Sequence, residues 1–419
     1  MKTPYSAFSL LRGAFNGQKH WEPAWRDPEP RASYDVIIIG GGGHGLATAY
    51  YLAKVHGIRN VAVLEKSWIG GGNVGRNTTL VRSNYRLPQL HNFFEFGLKL
   101  WHNLSDDLNY NVMFSPRGAM FLGHNDGDMI KLAERGDAMR CDGIDAELLS
   151  PKQIAKIEPL LDLSRNARFP IDGALIQWRA GTARHDAVAW GYARAADALG
   201  VDIIQKCEVT GFVRDGNKIT GVETTRGRIL AGRTGICVAG HSGHVAGLAG
   251  LKLPIESQTL QALVTEGVKP MVQSVVMSQS LHFYISQSDK GGIVMGGDPD
   301  NWPSYARRGQ PTIKEHAIAQ AVTCMPALSR LRMLRTWSGV TDMSFDGAPI
   351  IGTTPIDGLY LNAGWCYGGF KATPASGWTY AHTLATGKPH ALNAPFSLER
   401  FMTGATIDET AVGPMPNHR

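Results

Sequence analysis

A glycine-rich turn between a buried strand and an alanine-rich helix constrains this chain more than any other feature. From Tyr34 the sequence reads YDVIIIGGGGHGLATAYYLAK, and Gly40, Gly42 and Gly45 supply the pattern G-x-G-x-x-G. The first glycine permits a tight turn, the second lets the backbone approach a diphosphate, and the third lets the helix pack on the strand. Unpaired N–H groups at the start of a helix favour phosphate oxygens. The pattern predicts a Rossmann-type dinucleotide site.

An acidic residue follows at the spacing that this kind of site requires. A second strand, Asn60–Leu64, ends in Glu65, about twenty residues after the last glycine of the turn. A carboxylate there can accept hydrogen bonds from the adenosine ribose hydroxyls, and its charge disfavours a 2′-phosphate. We therefore expect Glu65 to bind the ribose, and the sequence argues against NADP.

The segment after Glu65 favours FAD over NAD. Residues Ile69–Tyr85 are rich in Gly, Asn and Thr, whereas an NAD domain would return at once to another strand and helix. Small and hydrogen-bonding residues suit a loop that wraps an extended dinucleotide and leaves room for a flat ring system. A surface loop without a cofactor role is the alternative interpretation.

Length and composition limit the other possibilities. A chain of 419 residues exceeds the size at which one core keeps growing, so we expect two domains. The net charge is +6, but no run of five like charges occurs, which argues against nucleic-acid binding. The apolar stretch Tyr5–Phe15 is too short and too interrupted for a membrane span.

The cysteines indicate a reducing compartment. The chain has five, an odd number, and none forms a C-x-x-C pair. Such usage argues against a disulfide framework and against a zinc site. We predict a cytoplasmic protein without a metal site.

At this point a family resemblance becomes specific. The chain resembles the glycine oxidase and D-amino-acid oxidase group of flavoproteins, and within it the beta subunits of heterotetrameric sarcosine oxidases. The match runs from Tyr34 to Phe401. Its most specific segments are GGGGHGLATAYYLAK at 40–54, RNTT at 76–79, RSNY at 82–85, RHDAVAW at 184–190 and GGFKATP at 368–374.

The resemblance implies an α/β chain, α+β overall, in which a Rossmann-like FAD-binding domain is interleaved with a substrate domain built on a mainly antiparallel sheet. Alternating stretches such as 281–286 and 292–296 fit the second domain. We expect an N-terminal arm at 1–33, the FAD-binding domain at 34–115, 171–254 and 331–400, the substrate domain at 116–170 and 255–330, and a C-terminal tail at 401–419.

The resemblance also implies site residues. Arg82 and Lys371 match the positions that bind the substrate carboxylate in the family, and Arg offers a bidentate fork where Lys offers a point charge. His282 and Tyr284 alternate on a predicted strand, so we expect only one, Tyr284, to face the site. The expected FAD-binding residues are Gly40, Gly42, Gly43, His44, Gly45, Glu65, Asn73, Arg76, Thr78, Thr79, Leu80, Val209, Gly369 and Lys371.

A second flavin is implied at another position. His185 matches the histidine that carries covalent FMN in the family, at the interface with the alpha subunit, and Arg184 would lie beside this FMN. On the residues alone, a histidine before Asp at a helix start is more often a cap or a surface residue. Monomeric relatives tether FAD through a C-[IM]-Y-T segment, but the matching stretch, Gly339–Gly347, has no cysteine, so we expect FAD to be non-covalent.

The activity implied is oxidative demethylation of sarcosine, with electrons passing from FAD to FMN to O2. The products would be glycine, H2O2 and either formaldehyde or 5,10-methylenetetrahydrofolate. The expected partners are an alpha subunit that binds tetrahydrofolate and NAD, together with gamma and delta subunits. The alternatives are an N-methylglutamate dehydrogenase subunit or another FAD-dependent secondary amine oxidase, a flavin-binding assembly subunit without its own substrate site, and, least favoured, a plain NAD dehydrogenase.

Overall fold

The fold is that of a computed structural model, which describes residues 6–19 and 23–408. Parts of the expected N-terminal arm, 1–5 and 20–22, and of the expected tail, 409–419, lie outside the described residues. Two eight-stranded sheets and one two-stranded ribbon form the framework of the described part. In that part, no helix is both long and apolar enough to cross a membrane.

The first sheet is the dinucleotide-binding sheet. Its central strands run parallel in the order β18-β11-β1-β2-β8, with β17 antiparallel at one edge and the β9–β10 hairpin added to β11. The central strands are continuous apolar runs, because helices cover both faces of a parallel sheet. Its strands are β1 (Ser33–Ile39), β2 (Val61–Leu64), β8 (Asp202–Ile204), β9 (Val209–Asp215), β10 (Lys218–Thr224), β11 (Gly227–Ile236), β17 (Ile350–Thr353) and β18 (Leu359–Ala363).

The second sheet has the order β16-β12-β15-β14-β13-β4-β6-β5. All of its pairs are antiparallel except β13 with β4, so the expected mainly antiparallel sheet is confirmed. Its strands are β4 (Ala119–Gly123), β5 (Glu147–Leu149), β6 (Gly173–Gln177), β12 (Ile255–Gly267), β13 (Val275–Ser278), β14 (Phe283–Gln287), β15 (Gly292–Pro299) and β16 (Met333–Ser344), and the ribbon joins β3 (Leu80–Val81) to β7 (Gly181–Thr182).

Helices cover the sheets and connect them. The α2 helix follows the glycine turn and packs against both α6 and α9, and α9 also packs against α3. The helices are α1 (Ala7–Phe15), α2 (Gly43–Val55), α3 (Pro88–Asp107), α4 (Asp126–Cys141), α5 (Pro151–Ile157), α6 (His185–Ala198), α7 (Ser242–Leu248), α8 (Pro311–Cys324), α9 (Gly369–Thr386) and α10 (Arg400–Thr403), with 3-10 turns at Val74–Arg76, Ala239–His241, Pro326–Arg330 and Ala391–Phe396.

Two of the expected domain boundaries do not agree with the strand pairing. The β6 strand, assigned from sequence to the FAD-binding domain, pairs with β4 and β5 of the second sheet. The β16 strand, likewise assigned to the FAD-binding domain, pairs with β12 along most of its length. Both differences have one cause: an antiparallel partner far away in the chain leaves no local signal that tells which sheet a strand will join.

The N-terminal arm begins with α1, in which no residue is buried. Phe8 and Phe15 are more than four-fifths exposed. Farther along, Arg26 donates to Asp197 at 2.8 Å and to the carbonyl of Val201 at 2.9 Å. These two contacts fasten the arm to the end of α6 and to the start of β8.

Candidate functional site

A cavity of about 1010 Å³ lies between the two sheets. One side is formed where the central strands of the first sheet end, at Ile39, Glu65, Cys237 and Asn362. Ligands of open parallel sheets bind at this edge, outside the carboxyl ends of the strands. The opposite side comes from the second sheet, so the cavity can hold a dinucleotide against one sheet and a small substrate against the other.

The glycine turn forms one end of the cavity, and its backbone fits a diphosphate. Gly40 has φ 111°, and a β-carbon on Gly45 would lie 2.0 Å from the carbonyl oxygen of Gly40, so both positions require glycine. Gly42 caps α2 without any side-chain hydrogen bond, which leaves N–H groups of the first turn available to an anion. Gly40, Gly42 and Gly43 line the cavity, whereas Gly45 lies behind them and lets helix and strand meet.

Glu65 is held in a fixed orientation at the cavity wall. Its Oε2 accepts from the N–H of Gly41 at 2.9 Å, and its Oε1 accepts from the N–H and the hydroxyl of Ser67, both at 2.8 Å. A carboxylate oxygen has two lone pairs, so Oε2, which has one donor, can still accept from a ribose hydroxyl, whereas both lone pairs of Oε1 are taken by Ser67. The protein donors were not foreseen from the sequence, and they fix the direction in which Glu65 points.

The loop after β2 runs along the cavity and is tied to the second sheet. The amide of Asn73 pairs with the backbone of Val340 on β16 through both its oxygen and its nitrogen. Arg76 donates to the carbonyls of Gly71 and Gly72, and the indole N–H of Trp337 donates to the carbonyl of Arg76 at 2.7 Å. Of the expected FAD-binding residues farther along the chain, Thr78, Leu80, Val209, Gly369 and Lys371 line the cavity and Thr79 does not.

His44 lies at the end of a chain of hydrogen bonds that begins at Trp365. The indole N–H of Trp365 can only donate, and it donates to Oδ1 of Asn362 at 2.7 Å. The amide nitrogen of Asn362 therefore donates to the hydroxyl of Ser376 at 2.8 Å, and this hydroxyl donates to Nδ1 of His44 at 2.6 Å. The network assigns the ring proton of His44 to Nε2, beside the backbone of Gly369.

The same environment keeps His44 neutral. Its ring stacks on Trp365 with centroids 4.7 Å apart. Burial lowers the pKa of His44 to about 4, although a hydrogen bond to the backbone of Gly369 acts in the opposite direction. His44 therefore joins the glycine turn to the first turn of α9 without carrying a charge.

Arg82 faces the cavity between two aromatic rings. Its guanidinium lies 4.7 Å from the ring centroid of Tyr85 and 5.1 Å from that of Phe121, and it donates to Oδ1 of Asn84 at 2.8 Å. Cation–π contacts hold an arginine without neutralising it. No carboxylate lies at ion-pair distance from Arg82 within the described residues.

Buried polar groups behind Arg82 fix the segment that carries it. The hydroxyl of Ser83 donates to Glu95 at 2.8 Å, and its N–H donates to Gln177 at 2.8 Å. Arg179 completes the network by pairing with Glu95 at 2.8 Å and with Asp145 at 2.9 Å. The backbone of this segment is therefore anchored on α3 and β6, which leaves the Arg82 side chain directed into the cavity.

Lys371 is the second basic side chain at this end of the cavity. Its side chain lies on the first turn of α9, is only 6% exposed, and donates from Nζ to the carbonyl of Tyr367 at 2.7 Å. Burial and, to a smaller extent, the charge of Arg82 lower the pKa of Lys371 well below its ordinary value. Two basic side chains thus meet at one place without a carboxylate between them in the described part of the chain.

The expected alternation of His282 and Tyr284 is wrong. Both side chains line the cavity. Residues two apart on a strand lie on the same face, so this spacing does not separate the two side chains. In addition, His282 precedes β14 and has φ 54°, which places it outside the strand. His282 pairs with Asp298 at 2.9 Å, which raises the pKa of this histidine, whereas burial raises the pKa of Tyr284 to about 12.

His185 and Arg184 lie outside the cavity. His185 is the first residue of α6, and its Nε2 lies 3.1 Å from the carbonyl oxygen of Gly75, in the loop whose other face lines the cavity. Burial lowers the pKa of His185. Arg184 pairs with Asp186 at 2.8 and 3.0 Å. The histidine thus lies on the opposite side of the loop from the dinucleotide end of the cavity.

Two cavity residues were missed from the sequence. Asp342 accepts from the N–H of Gly364 at 2.6 Å, and burial raises the pKa of this carboxyl to about 6. The sulfur of Cys366 accepts a hydrogen bond from the N–H of Ser344 at 3.3 Å, and burial raises the pKa of the thiol to about 12. The strand end at 342–344 and the loop at 364–366 meet only in three dimensions, so no sequence pattern joins them.

Comparison with known proteins shows the family to which this fold and cavity belong. The family model described as FAD dependent oxidoreductase matches residues 35–383. A sarcosine oxidase subunit beta of Rhizobium meliloti (strain 1021) is 57% identical over 99% of both chains, and one of Arthrobacter sp is 52% identical over 93% of this chain and 96% of its own. The crystal structure of L-proline dehydrogenase from P. horikoshii superimposes with a TM-score of 0.83 at 27% identity, covering 90% of this chain and 99% of its own.

Proposed function

The chain belongs to the FAD dependent oxidoreductases, among the sarcosine oxidase beta subunits, and on that premise we propose that it oxidises the N-methyl group of sarcosine. One observation in this structure supports the proposal independently of the similarity to known proteins. Arg82 and Lys371 share one end of the cavity, and no carboxylate at ion-pair distance neutralises either of them in the described residues. The carboxylate of an amino acid supplies the missing partner.

Each side chain around the substrate end has a defined task. Arg82 binds the carboxylate with its planar fork, and Lys371 binds it as a point charge. Bound FAD would supply the acceptor for the hydride that leaves the N-methyl carbon. Tyr284 and Phe121 cover the substrate and keep water away from the resulting cation. The two cations fix the orientation of the substrate, and orientation is the contribution that the protein itself makes to the rate.

The beginning of α9 adds an electrostatic contribution. Gly368 caps the helix without a side-chain hydrogen bond, so N–H groups of the first turn face the cavity. The positive end of the helix favours negative charge that develops nearby. We propose that this turn stabilises the reduced cofactor.

The proposed substrate is tested by anaerobic mixing. We expect sarcosine to bleach the flavin absorbance of the purified complex within seconds, and N-methylglutamate to bleach it at least tenfold more slowly at equal concentration. Faster bleaching by N-methylglutamate would assign the chain to the other amine instead. Variants Arg82→Met and Lys371→Met that still bleach normally would indicate a substrate site elsewhere, as in an assembly subunit.

We propose in addition that His185 carries a covalent FMN at the contact with an alpha subunit that binds tetrahydrofolate and NAD, with gamma and delta subunits completing the complex. The partly exposed position of His185 supports this, because a partner can reach it. Its contact with Gly75 supports it as well, because one short loop then separates the two flavins.

Acid precipitation of the complex tests the second flavin. For the unaltered complex we expect FAD in the supernatant and FMN on a His185 peptide in the pellet. For His185→Asn we expect no flavin in the pellet. A pellet of the unaltered complex without flavin would return His185 to the role of an ordinary helix start. Five free cysteines, four of them buried, support a cytoplasmic location for the complex.

The two domains follow from the sheets. We propose that the FAD-binding domain comprises the first sheet with α2, α6 and α9, and that the substrate domain comprises the second sheet, including β6 and β16. The chain then passes between the domains several times, and the cavity lies where they meet.

A further inference from the structure

We propose that Lys371 lies neutral in the resting enzyme and takes the proton of the substrate ammonium group when the amino acid binds. The inference rests on the proposed function, in which an amino acid is oxidised in this cavity. It gives Lys371 a chemical task in addition to holding the carboxylate, because the substrate amine has to lose its proton before it can react.

Among the residues that the structure describes, no group around Lys371 would keep it charged. Nζ has one hydrogen bond partner in the described part of the chain, the carbonyl of Tyr367. On the neighbouring α3 helix, both oxygens of Glu95 are already occupied, one by Ser83 and one by Arg179, and the other two carboxylates, Asp106 and Asp107, lie at the far end of the helix. A buried ammonium with a single neutral acceptor is unstable relative to the amine.

The charges nearby act in the same direction. Arg82 is the charged group that acts on Lys371 from the segment after β3, and its effect is repulsive. Two other titratable groups line the same cavity: His44 on α2, which is neutral, and Tyr284 on the second sheet, whose pKa is raised by burial. Burial first and Arg82 second lower the pKa of Lys371 well below its ordinary value.

The chemistry of the substrate supplies what Lys371 lacks. An N-alkyl amino acid in neutral water is a zwitterion, and its protonated nitrogen has no lone pair with which to assist hydride loss. When it binds, one N–H bond of the ammonium breaks, the electron pair stays on the substrate nitrogen, and the proton forms a new bond to Nζ of Lys371. The charged lysine then faces the carboxylate beside Arg82, which stabilises the product of the transfer.

The transfer conserves the charge of the site, and this makes it measurable. A zwitterion that gives its own proton to Lys371 requires none from the solvent. A carboxylate without an ammonium group has no proton to give, so its binding draws one from the solvent as Lys371 becomes charged. The two kinds of ligand therefore differ by one proton, although they occupy the same place.

The experiment is titration calorimetry of the holoenzyme at one pH in buffers of different ionisation enthalpy, with acetate and with glycine as probes. We expect acetate to take up about one proton per site and glycine about none, while the flavin spectrum stays oxidised. Zero protons with acetate would mean that Lys371 is already charged, and one proton with both probes would mean that the ammonium keeps its proton. Either result overturns the inference.

Lys371→Arg provides the matched variant, because arginine keeps the positive charge and cannot be neutral at these pH values. We expect acetate to bind it without proton uptake. Anaerobic flavin reduction by sarcosine should rise about tenfold per pH unit in this variant, because only substrate that is already deprotonated reacts, and should be flat in the unaltered enzyme. The same pH slope in both enzymes would mean that Lys371 does not accept the substrate proton.

The outcome also separates this inference from the proposed function. Proton uptake with acetate but no bleaching by sarcosine would support a neutral Lys371 and would contradict sarcosine as the substrate. Bleaching by sarcosine without proton uptake on acetate binding would support sarcosine as the substrate and would contradict a neutral Lys371.

Discussion

The two ends of the cavity differ in whether their polar groups already have partners. At the cofactor end, His44, Ser376, Asn362 and Trp365 form a chain of hydrogen bonds, and the stacking of His44 on Trp365 brings its two ends together. At the substrate end, Arg82 and Lys371 meet each other and only neutral acceptors. A satisfied network holds a shape, whereas two basic side chains without a carboxylate partner can bind one from a ligand. Substitutions should therefore have small effects at the first end and large effects at the second.

The largest effect is expected from Lys371→Met. Removing one partner of a buried charge pair costs about 2–5 kcal/mol, so we expect kcat/KM for sarcosine to fall roughly 10²- to 10³-fold. Lys388→Met at the exposed C-terminal end of α9 is the matched control and should leave kcat/KM unchanged. Steady-state kinetics of both variants decides the point. A fall of less than threefold in the Lys371 variant would remove the contrast between the two ends.

A pH dependence should appear at the substrate end alone. The lowered pKa of Lys371 means that acetate binding requires proton uptake, so the affinity for acetate should fall about tenfold for each unit of pH above that pKa. Over two pH units the Kd should rise about a hundredfold, as spectral titration of the flavin can measure. His44 contributes no step near neutral pH, because burial lowers its pKa to about 4. A flat profile in the unaltered enzyme would contradict the prediction.

At the cofactor end, two variants divide the role of His44. The side chain of His44→Gln can still place an amide N–H where Nε2 donates, whereas His44→Asn keeps only an acceptor near Nδ1. We expect the Gln variant to bind acetate within about twofold of normal and the Asn variant about fivefold more weakly, since one hydrogen bond contributes about 1 kcal/mol. Equal losses in both variants would mean that the stacking on Trp365, and not the Nε2 proton, matters.

The smallest effect is expected from Tyr284→Phe. The ring covers the substrate, and the hydroxyl is buried without being needed for charge balance. We expect the rate of flavin reduction to fall no more than about threefold, because the ring and its apolar area are retained. A fall of a hundredfold, measured by stopped-flow absorbance, would assign a proton-transfer task to the hydroxyl.

Local patterns predicted the cofactor end well. The turn at Gly40–Gly45, the acidic residue after β2 and the strand Leu359–Ala363 all followed from short sequence signals. The resemblance predicted the two cations, and the structure brings Arg82 and Lys371 together from segments that lie far apart in the chain.

Features that depend on distant pairing were not predicted. The sheet to which β6 and β16 belong is set by partners far away in sequence. The contact between Cys366 and Ser344 was not predicted for the same reason. The expectation for His282 and Tyr284 was wrong because residues two apart on a strand share a face, and because His282 itself has a left-handed backbone just before β14, which no local rule assigns to histidine.

The packing of α9 against α2 has a consequence for biosynthesis. The glycine turn is among the first parts of the fold to leave the ribosome, whereas α9, which brings Gly369 and Lys371 to the cavity, is among the last. At roughly 5–20 residues per second, on the order of tens of seconds separate the two. Until α9 arrives the nascent chain offers a cofactor only half of its site, so FAD capture belongs to the end of translation and not to its beginning.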